Sequence, residues 1–159
     1  MNTTAIFATN DDRLLFAQRA ALAFVMFPHG AQHALGWFGG YGFAGTYGWM
    51  TGTLGIPAPL AALAIATELV APLFLLAGFG GRAAAAGLAA ILAVAATTHV
   101  SNGFFMNWLG ANPGEGFEYH ILAVALAASV IVRGSGAWSV DRVLAAREAV
   151  AARRGLNAS

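Results

Sequence analysis

Residues 56–79 read IPAPLAALAIATELVAPLFLLAGF, and this stretch decides the fold class of the chain. It has a single ionisable side chain, Glu68. Because a helix of about 20 mostly apolar residues crosses the hydrocarbon core of a bilayer, the stretch predicts a transmembrane helix. Pro57 and Pro59 suit its first turn, where a missing N–H group costs no hydrogen bond.

Three other apolar stretches are long enough to extend this prediction, at residues 14–35, 82–102 and 117–132. The chain is 58% hydrophobic and 9% charged, whereas soluble domains carry about 25% charged residues. We therefore predict an all-α integral membrane protein, a four-helix bundle over residues 13–135. Residues 1–12 form an N-terminal cytoplasmic segment in this scheme, and residues 136–159 form a cytoplasmic tail.

The arginines predict the orientation of the bundle. Arg13, Arg82 and five arginines beyond residue 132 border the same predicted side, whereas the loops 36–55 and 103–116 contain no Lys or Arg. The positive-inside rule then places both termini of this multi-pass membrane protein in the cytoplasm. Arg19 lies just inside the inner boundary, where we expect its long stem to snorkel towards water.

Two helices are predicted outside the spans. Six aromatic residues between positions 37 and 49 favour a short interfacial helix at residues 43–54 on the outer face. Residues 139–154 place valines and leucine near one face and arginines away from it, which predicts an amphipathic helix on the cytoplasmic leaflet. Ser139 is the expected cap of this helix, and Asp11 or Asp12 that of the first span.

Ionisable residues inside spans are costly and are therefore candidates for function. Away from the inner boundary, the candidates are His29, His33, Glu68, His99, Glu118 and His120. A rise of about 1.5 Å per residue puts the four histidines in the outer half of the bilayer and Glu68 near its midplane. We expect the histidines to converge on one pocket, and Glu68 to pair with His29 or His99.

Three interpretations of this polar layer stay open. The first is structural, with histidines and acids joining the helices by hydrogen bonds. The second is a pocket for a polar head group such as a quinone, with His and Glu exchanging protons. The third is a metal or haem site built from His29, His33, His99 and His120.

Other classes of function are disfavoured by composition. The chain has no cysteine, which removes thiolate chemistry and cysteine-ligated iron–sulfur clusters. A net charge of +1 gives no footprint for nucleic acid. A transporter is disfavoured because no repeated halves with matching broken helices are visible.

Several short motifs occur in order along the chain: residues 29–33 (HGAQH), 55–59 (GIPAP), Glu68, 76–78 with Arg82, His99 with 103–105 (GFF), 118–119 (EY) and 139–142 (SVDR). Together they resemble the DoxX family of small bacterial membrane proteins, which includes DoxD-like members, across most of residues 12–145. The family pattern has lysine where this chain has His33, which removes a permanent charge and leaves a titratable ligand.

The resemblance implies a small four-helix protein of the inner membrane. Relatives include a quinone-reducing subunit of archaeal thiosulfate oxidation and subunits proposed to join membrane oxidoreductase complexes. Our leading hypothesis is therefore a subunit of a quinone-linked redox system, rather than a stand-alone enzyme, whose partners are the lipid bilayer and other membrane redox proteins. The alternatives are a non-catalytic scaffold for assembly and a metal- or haem-binding membrane protein.

Overall fold

The computed structural model describes residues 7–156, which form six α-helices and no strand. The helices are α1 (Arg13–Leu35), α2 (Gly42–Gly52), α3 (Ala58–Ala77), α4 (Gly81–His99), α5 (Glu118–Arg133) and α6 (Val140–Leu156). Single 3₁₀ turns follow α1 at Trp37–Gly39 and α4 at Val100–Asn102. The parts of the predicted terminal segments at residues 1–6 and 157–159 lie outside the described residues.

Three helices are long and apolar enough to cross a membrane, namely α1, α3 and α4 with its 3₁₀ extension. The all-helical class and three of the four predicted apolar spans are therefore confirmed. The fourth predicted span, α5, has 16 residues and is about 24 Å long. It is shorter than the hydrocarbon core of about 30 Å.

The helices pack as two neighbouring pairs. α1 packs along α3 and α4 along α5, while contacts of α3 with α4 and of α1 with α5 join the pairs. The short helix α2 packs across α1 and α3. Because neighbours run antiparallel, Arg13, Arg82 and Arg133 share one end of the molecule, which we call the basic end. His33, His99 and His120 lie towards the opposite, histidine end.

A glycine brings α1 and α3 into backbone contact. A Cβ atom at Gly30 would overlap the carbonyl group of Glu68 and the Cα atom of Leu69. Pro72 lies in α3 four residues after Glu68 and has no N–H group for that carbonyl. The carbonyl of Glu68 therefore faces Gly30, which has no side chain to overlap it.

A small apolar cluster of Met50, Ala61 and Ile65 joins α2 to the first half of α3, whereas the main apolar core lies in the middle of the molecule and towards the basic end. Its larger members include Leu22, Met26, Leu75, Leu88 and Leu92. Beyond Leu92, no residue of α4 is buried. Close packing between the two helix pairs therefore ends before the histidine end is reached.

Arg19 is the centre of the basic end, and here the expectation of snorkelling is wrong. The residue is fully buried, and all five of its N–H groups donate to backbone carbonyls, those of Leu75, Leu76, Ser135, Ala137 and Trp138. Five donors in a planar fork are the full capacity of a guanidinium. The side chain thus ties α1 to the end of α3 and to the segment that follows α5, instead of reaching water.

The beginning of the predicted tail is built into the same end. Asp141 is buried and accepts from the N–H groups of Gly80 at 2.7 Å and Gly81 at 3.1 Å, and from the hydroxyl of Ser135 at 2.6 Å. A carboxylate at the first N–H groups of α4 also complements the helix dipole. The segment between α5 and α6 therefore belongs structurally to the bundle.

Two predicted helix caps are confirmed. The Asp12 carboxylate accepts from the N–H groups of Leu14 and Leu15 at the start of α1. The Ser139 hydroxyl accepts from the N–H group of Arg142, and α6 begins at the next residue, Val140. The interfacial helix predicted at residues 43–54 is observed as α2, one to two residues earlier.

The Gly30 contact makes a direct prediction. Gly30→Ala should lower the thermal stability of the detergent-solubilised protein, because overpacking of this kind costs about 1–3 kcal/mol. Gly48→Ala on α2 is the matched control, since a Cβ atom there would meet nothing within 4 Å. Equal melting temperatures for the two variants would show that the α1–α3 contact is looser than described.

The Arg19 network makes a second prediction. Arg19→Lys keeps the charge but supplies three donors instead of five, and each carbonyl left buried without a partner costs about 1–3 kcal/mol. Thermal unfolding should therefore occur at a clearly lower temperature than in Arg147→Lys, which changes an exposed residue. If the two variants melt alike, charge alone holds this end together.

Candidate functional site

The most direct polar contact between helices at the histidine end joins α1 to α3. His33 Nδ1 lies 2.5 Å from Glu68 Oε2, and Glu68 is buried. The expectation that Glu68 pairs with His29 or His99 is therefore wrong. Helical side chains lean towards the N-terminus of their own helix, and α1 and α3 are antiparallel, so His33 and Glu68 lean towards each other across their difference in depth.

A cleft lies beside this pair at the histidine end. Its volume is about 470 Å³, and it is lined by His33 from α1 and by Gly45, Thr46 and Trp49 from α2, together with Tyr41. Tyr41 and Trp49 are exposed, whereas Thr46 is buried. The cleft therefore combines aromatic walls with an imidazole that is oriented by a carboxylate.

Thr46 contributes an unpaired polar atom. Its Oγ1 atom is buried and has no hydrogen-bond partner among the described residues. A helical threonine normally returns its hydroxyl to a carbonyl of the preceding turn, as Thr51 does to the carbonyl of Tyr47 at 2.9 Å. A buried hydroxyl without a partner costs free energy, so Thr46 is suited to a polar group inside the cleft.

A row of rings continues from the pair towards α4 and α5. His29 lies within electrostatic reach of both His33 and Glu68, and its ring centroid is 6.4 Å from that of Tyr119. The rings of Tyr119 and His120 are 5.9 Å apart, and those of His120 and His99 are 4.9 Å apart. The four histidines thus share one layer, but only His33 lines the cleft.

The far end of the row is held by the loop 103–116. His99 Nδ1 donates to the carbonyl of Glu115 at 2.9 Å. The Glu118 carboxylate accepts from the N–H group of Met106 at 3.0 Å and from the indole of Trp108 at 3.4 Å, and no hydrogen bond joins it to a histidine among the described residues. Its geometric role is therefore to shape this loop.

The metal interpretation finds no preformed ligand shell. Within residues 7–156 no three His, Asp or Glu side chains come close enough together to hold a metal ion. The histidines are instead distributed as one His–Glu pair, one His–His pair and His29 between them.

Comparison with known sequences identifies the chain. The DoxX family model matches residues 14–101, which is more than half of its 159 residues. The chain belongs to the DoxX family. No curated protein and no solved structure shows a significant match. As a DoxX-family protein with three apolar helices of spanning length, it is a membrane protein.

The family match covers α1 to α4 and therefore includes the pair, the cleft and His99, whereas Tyr119 and His120 lie beyond it. Sequence reasoning about this DoxX-family protein missed Tyr41, Thr46, Trp49 and Tyr119 as site residues. The aromatic content of residues 37–49 indicated an interfacial helix but not that its inner face would close a cleft over α1. Residue order alone contains no signal for that contact.

The His33–Glu68 contact predicts unequal effects of two substitutions. Glu68→Gln retains a side chain that can hydrogen-bond His33, whereas Glu68→Leu leaves the imidazole without a partner, at a cost of about 1–3 kcal/mol. Thermal unfolding in detergent should therefore rank wild type and Glu68→Gln above Glu68→Leu.

A double-mutant cycle provides the control for this ranking. Combining Glu68→Leu with His33→Leu should cost less stability than the sum of the single changes, because contacting residues do not act independently. Additive losses would mean that the two side chains contribute separately and that the pair is not a unit.

Proposed function

We propose that this protein is an inner-membrane subunit of a redox system that is linked to quinone, and that the cleft at the histidine end receives the quinone head group. The observation that carries the proposal is the His33–Glu68 pair, which places an oriented imidazole at the wall of an aromatic cleft. The chain is not proposed to be an enzyme by itself.

The residues present fit such a head group. A quinone presents a flat ring and two carbonyl oxygens, and when bound it supplies two-electron, two-proton chemistry. The aromatic side chains of Tyr41 and Trp49 offer faces for the ring, and the unpaired hydroxyl of Thr46 offers a donor for one oxygen. Clefts of about 300–1,000 Å³ are usual for small-molecule sites, which includes the 470 Å³ found here.

Each residue of the pair has a distinct role in this proposal. Glu68 holds His33 through Nδ1, which leaves Nε2 as the ring nitrogen that can exchange a proton with a ligand in the cleft. Imidazole suits this role because the pKa of a free histidine side chain lies close to neutral pH. Glu68 is a positioning residue and does not line the cleft.

The row of rings supplies a second direction for proton movement. When the cleft is filled, the ligand covers the exposed side of His33. His29, Tyr119, His120 and His99 then lead from the pair towards the loop 103–116. Protons of the pair can exchange with water on that side through this row, with ordered water between the more distant rings.

The orientation and the fourth span form part of the proposal. The arginines at the basic end favour a cytoplasmic location for that end and for both termini. Helix α5 packs beside two of the three apolar helices, α4 and α1, and bilayer thinning accommodates a helix that is a few ångströms too short. The electrons must come from or go to a second redox protein, which we propose as the partner in the membrane.

The proposal is tested with a short-chain quinone and the full-length protein in nanodiscs. Titration should quench tryptophan fluorescence saturably, because Trp49 lines the cleft. His33→Gln should weaken binding at least tenfold, and Thr46→Val about two- to tenfold, as expected for the loss of one hydrogen bond.

Thr51→Val is the matched control, since Thr51 lies on the same helix, already has a partner and does not line the cleft. It should bind the quinone like wild type. Quenching that does not saturate, or that is equal in wild type and His33→Gln, would refute the head-group site.

The alternative is a non-catalytic scaffold for other subunits, and the tight α1–α3 contact at Gly30 favours it. In that case the His33–Glu68 pair would serve only to join the helices. His33→Gln would then lower thermal stability and the yield of an assembled complex, while no quinone would bind to the wild-type protein.

A further inference from the structure

A second concave surface lies at the basic end, far from the histidines. One groove of about 600 Å³ runs between the end of α3 at Ala77 and the first turns of α6, and Trp138, Val143 and Ala146 line it. A second groove of about 380 Å³ continues along α6 past Val150. Ala146 lines both, so the two form one continuous surface, which we call the α6 groove.

The walls of the α6 groove are mostly apolar although they are exposed. Val143 and Val150 are each about half exposed, and Trp138 is 64% exposed. Trp138 also adopts a left-handed backbone conformation with a φ of 48°, which is uncommon outside glycine. Arg19 stabilises this conformation by donating to the Trp138 carbonyl at 2.8 Å, so the exposed indole is held in place from inside the bundle.

Arginines border the groove along its length. Arg142 lines the first part, and Arg147 and Arg154 line the second. The guanidinium of Arg13 lies 5.9 Å from the centre of the ring of Trp138, which lines the first part. Apolar walls edged with guanidinium groups complement a molecule that has a long apolar chain and an anionic head.

The position of the groove decides between possible occupants. It begins where the apolar helix α3 ends, at Ala77, which is the level of lipid head groups for a spanning helix. Tryptophan is enriched at that level, and basic residues near the surface attract anionic lipids. In this membrane protein the α6 groove therefore faces phospholipid head groups.

We propose that the α6 groove is a binding site for an anionic phospholipid, with one acyl chain along the apolar wall and the phosphate held by Arg142 and the neighbouring arginines. The site is independent of the quinone cleft. In this proposal α6 packs against the bound lipid, which gives a function to a helix that makes few contacts with the rest of the bundle.

One acidic residue opposes this binding and sharpens the test. Asp11 pairs with Arg142 at 2.6 Å, and both residues are exposed. A phosphate must therefore share or replace this partner. Asp11→Asn should strengthen binding of an anionic lipid, because it removes the competing carboxylate and leaves the guanidinium in place.

The experiment is native mass spectrometry of the full-length protein, titrated with phosphatidylglycerol or phosphatidylcholine. The wild type should retain phosphatidylglycerol in preference. Arg142→Gln should weaken this retention about fivefold, which corresponds to about 1 kcal/mol for one arginine near the surface. Arg133→Gln is the charge-matched control, because Arg133 lies at the same end but does not line the groove.

A second pair of variants tests the groove itself. Ala146→Phe should fill it and reduce retention of phosphatidylglycerol at least tenfold, whereas Ala149→Phe changes an exposed residue of α6 that does not line it and should bind like wild type. Both positions are exposed, and melting temperatures confirm that each variant is folded. Excess inorganic phosphate should not displace the lipid, since the acyl chain contributes to binding.

Three results would overturn the proposal. Equal retention of the two lipids would show that the site does not select anionic head groups. Equal losses in Arg142→Gln and Arg133→Gln would show attraction to the charged end as a whole. Normal retention in folded Ala146→Phe would show that the lipid lies elsewhere.

Discussion

The structure depends on one buried guanidinium. Arg19 saturates all five of its N–H groups with backbone carbonyls, two at the end of α3 and three in the segment between α5 and α6. Helix ends and loops present carbonyls that no helical N–H group satisfies, and in a membrane no water replaces the missing donor. One side chain of α1 therefore satisfies carbonyl groups in two other segments of the chain. Asp141 completes the same end by accepting from the N–H groups of Gly80 and Gly81 at the start of α4.

The two helix pairs pack less closely at the histidine end than at the basic end. The apolar core does not extend beyond Leu92 on α4, so the two helix pairs are joined mainly in the middle and near Arg19. At the histidine end the close contact is that of α1 with α3, where Gly30 meets the backbone of Glu68. Polar side chains then occupy positions that a continuous core would have excluded, and the cleft beside α2 is part of the same opening.

The site follows from this division. Gly30 brings α1 close enough for His33 to reach Glu68, and the opposite lean of the two side chains completes the contact. Helix α2 covers the pair with Tyr41, Thr46 and Trp49 and leaves a cleft of the size of a small head group. The Glu118 carboxylate contacts the loop 103–116 instead, although its position in the chain suggested a place beside His120.

The sequence by itself determined the helical class, three of the four predicted apolar spans, and the helix caps at Ser139 and at one of two candidates, Asp12. These properties depend on composition and on local spacing, which a helix converts directly into depth and face. Only the tertiary structure decided that Glu68 pairs with His33, that Arg19 is bound inside the bundle, and that α2 closes a cleft. Such contacts depend on the separation and rotation of helices that are distant in the chain, and these are set by packing at glycines and by the carbonyls that need donors.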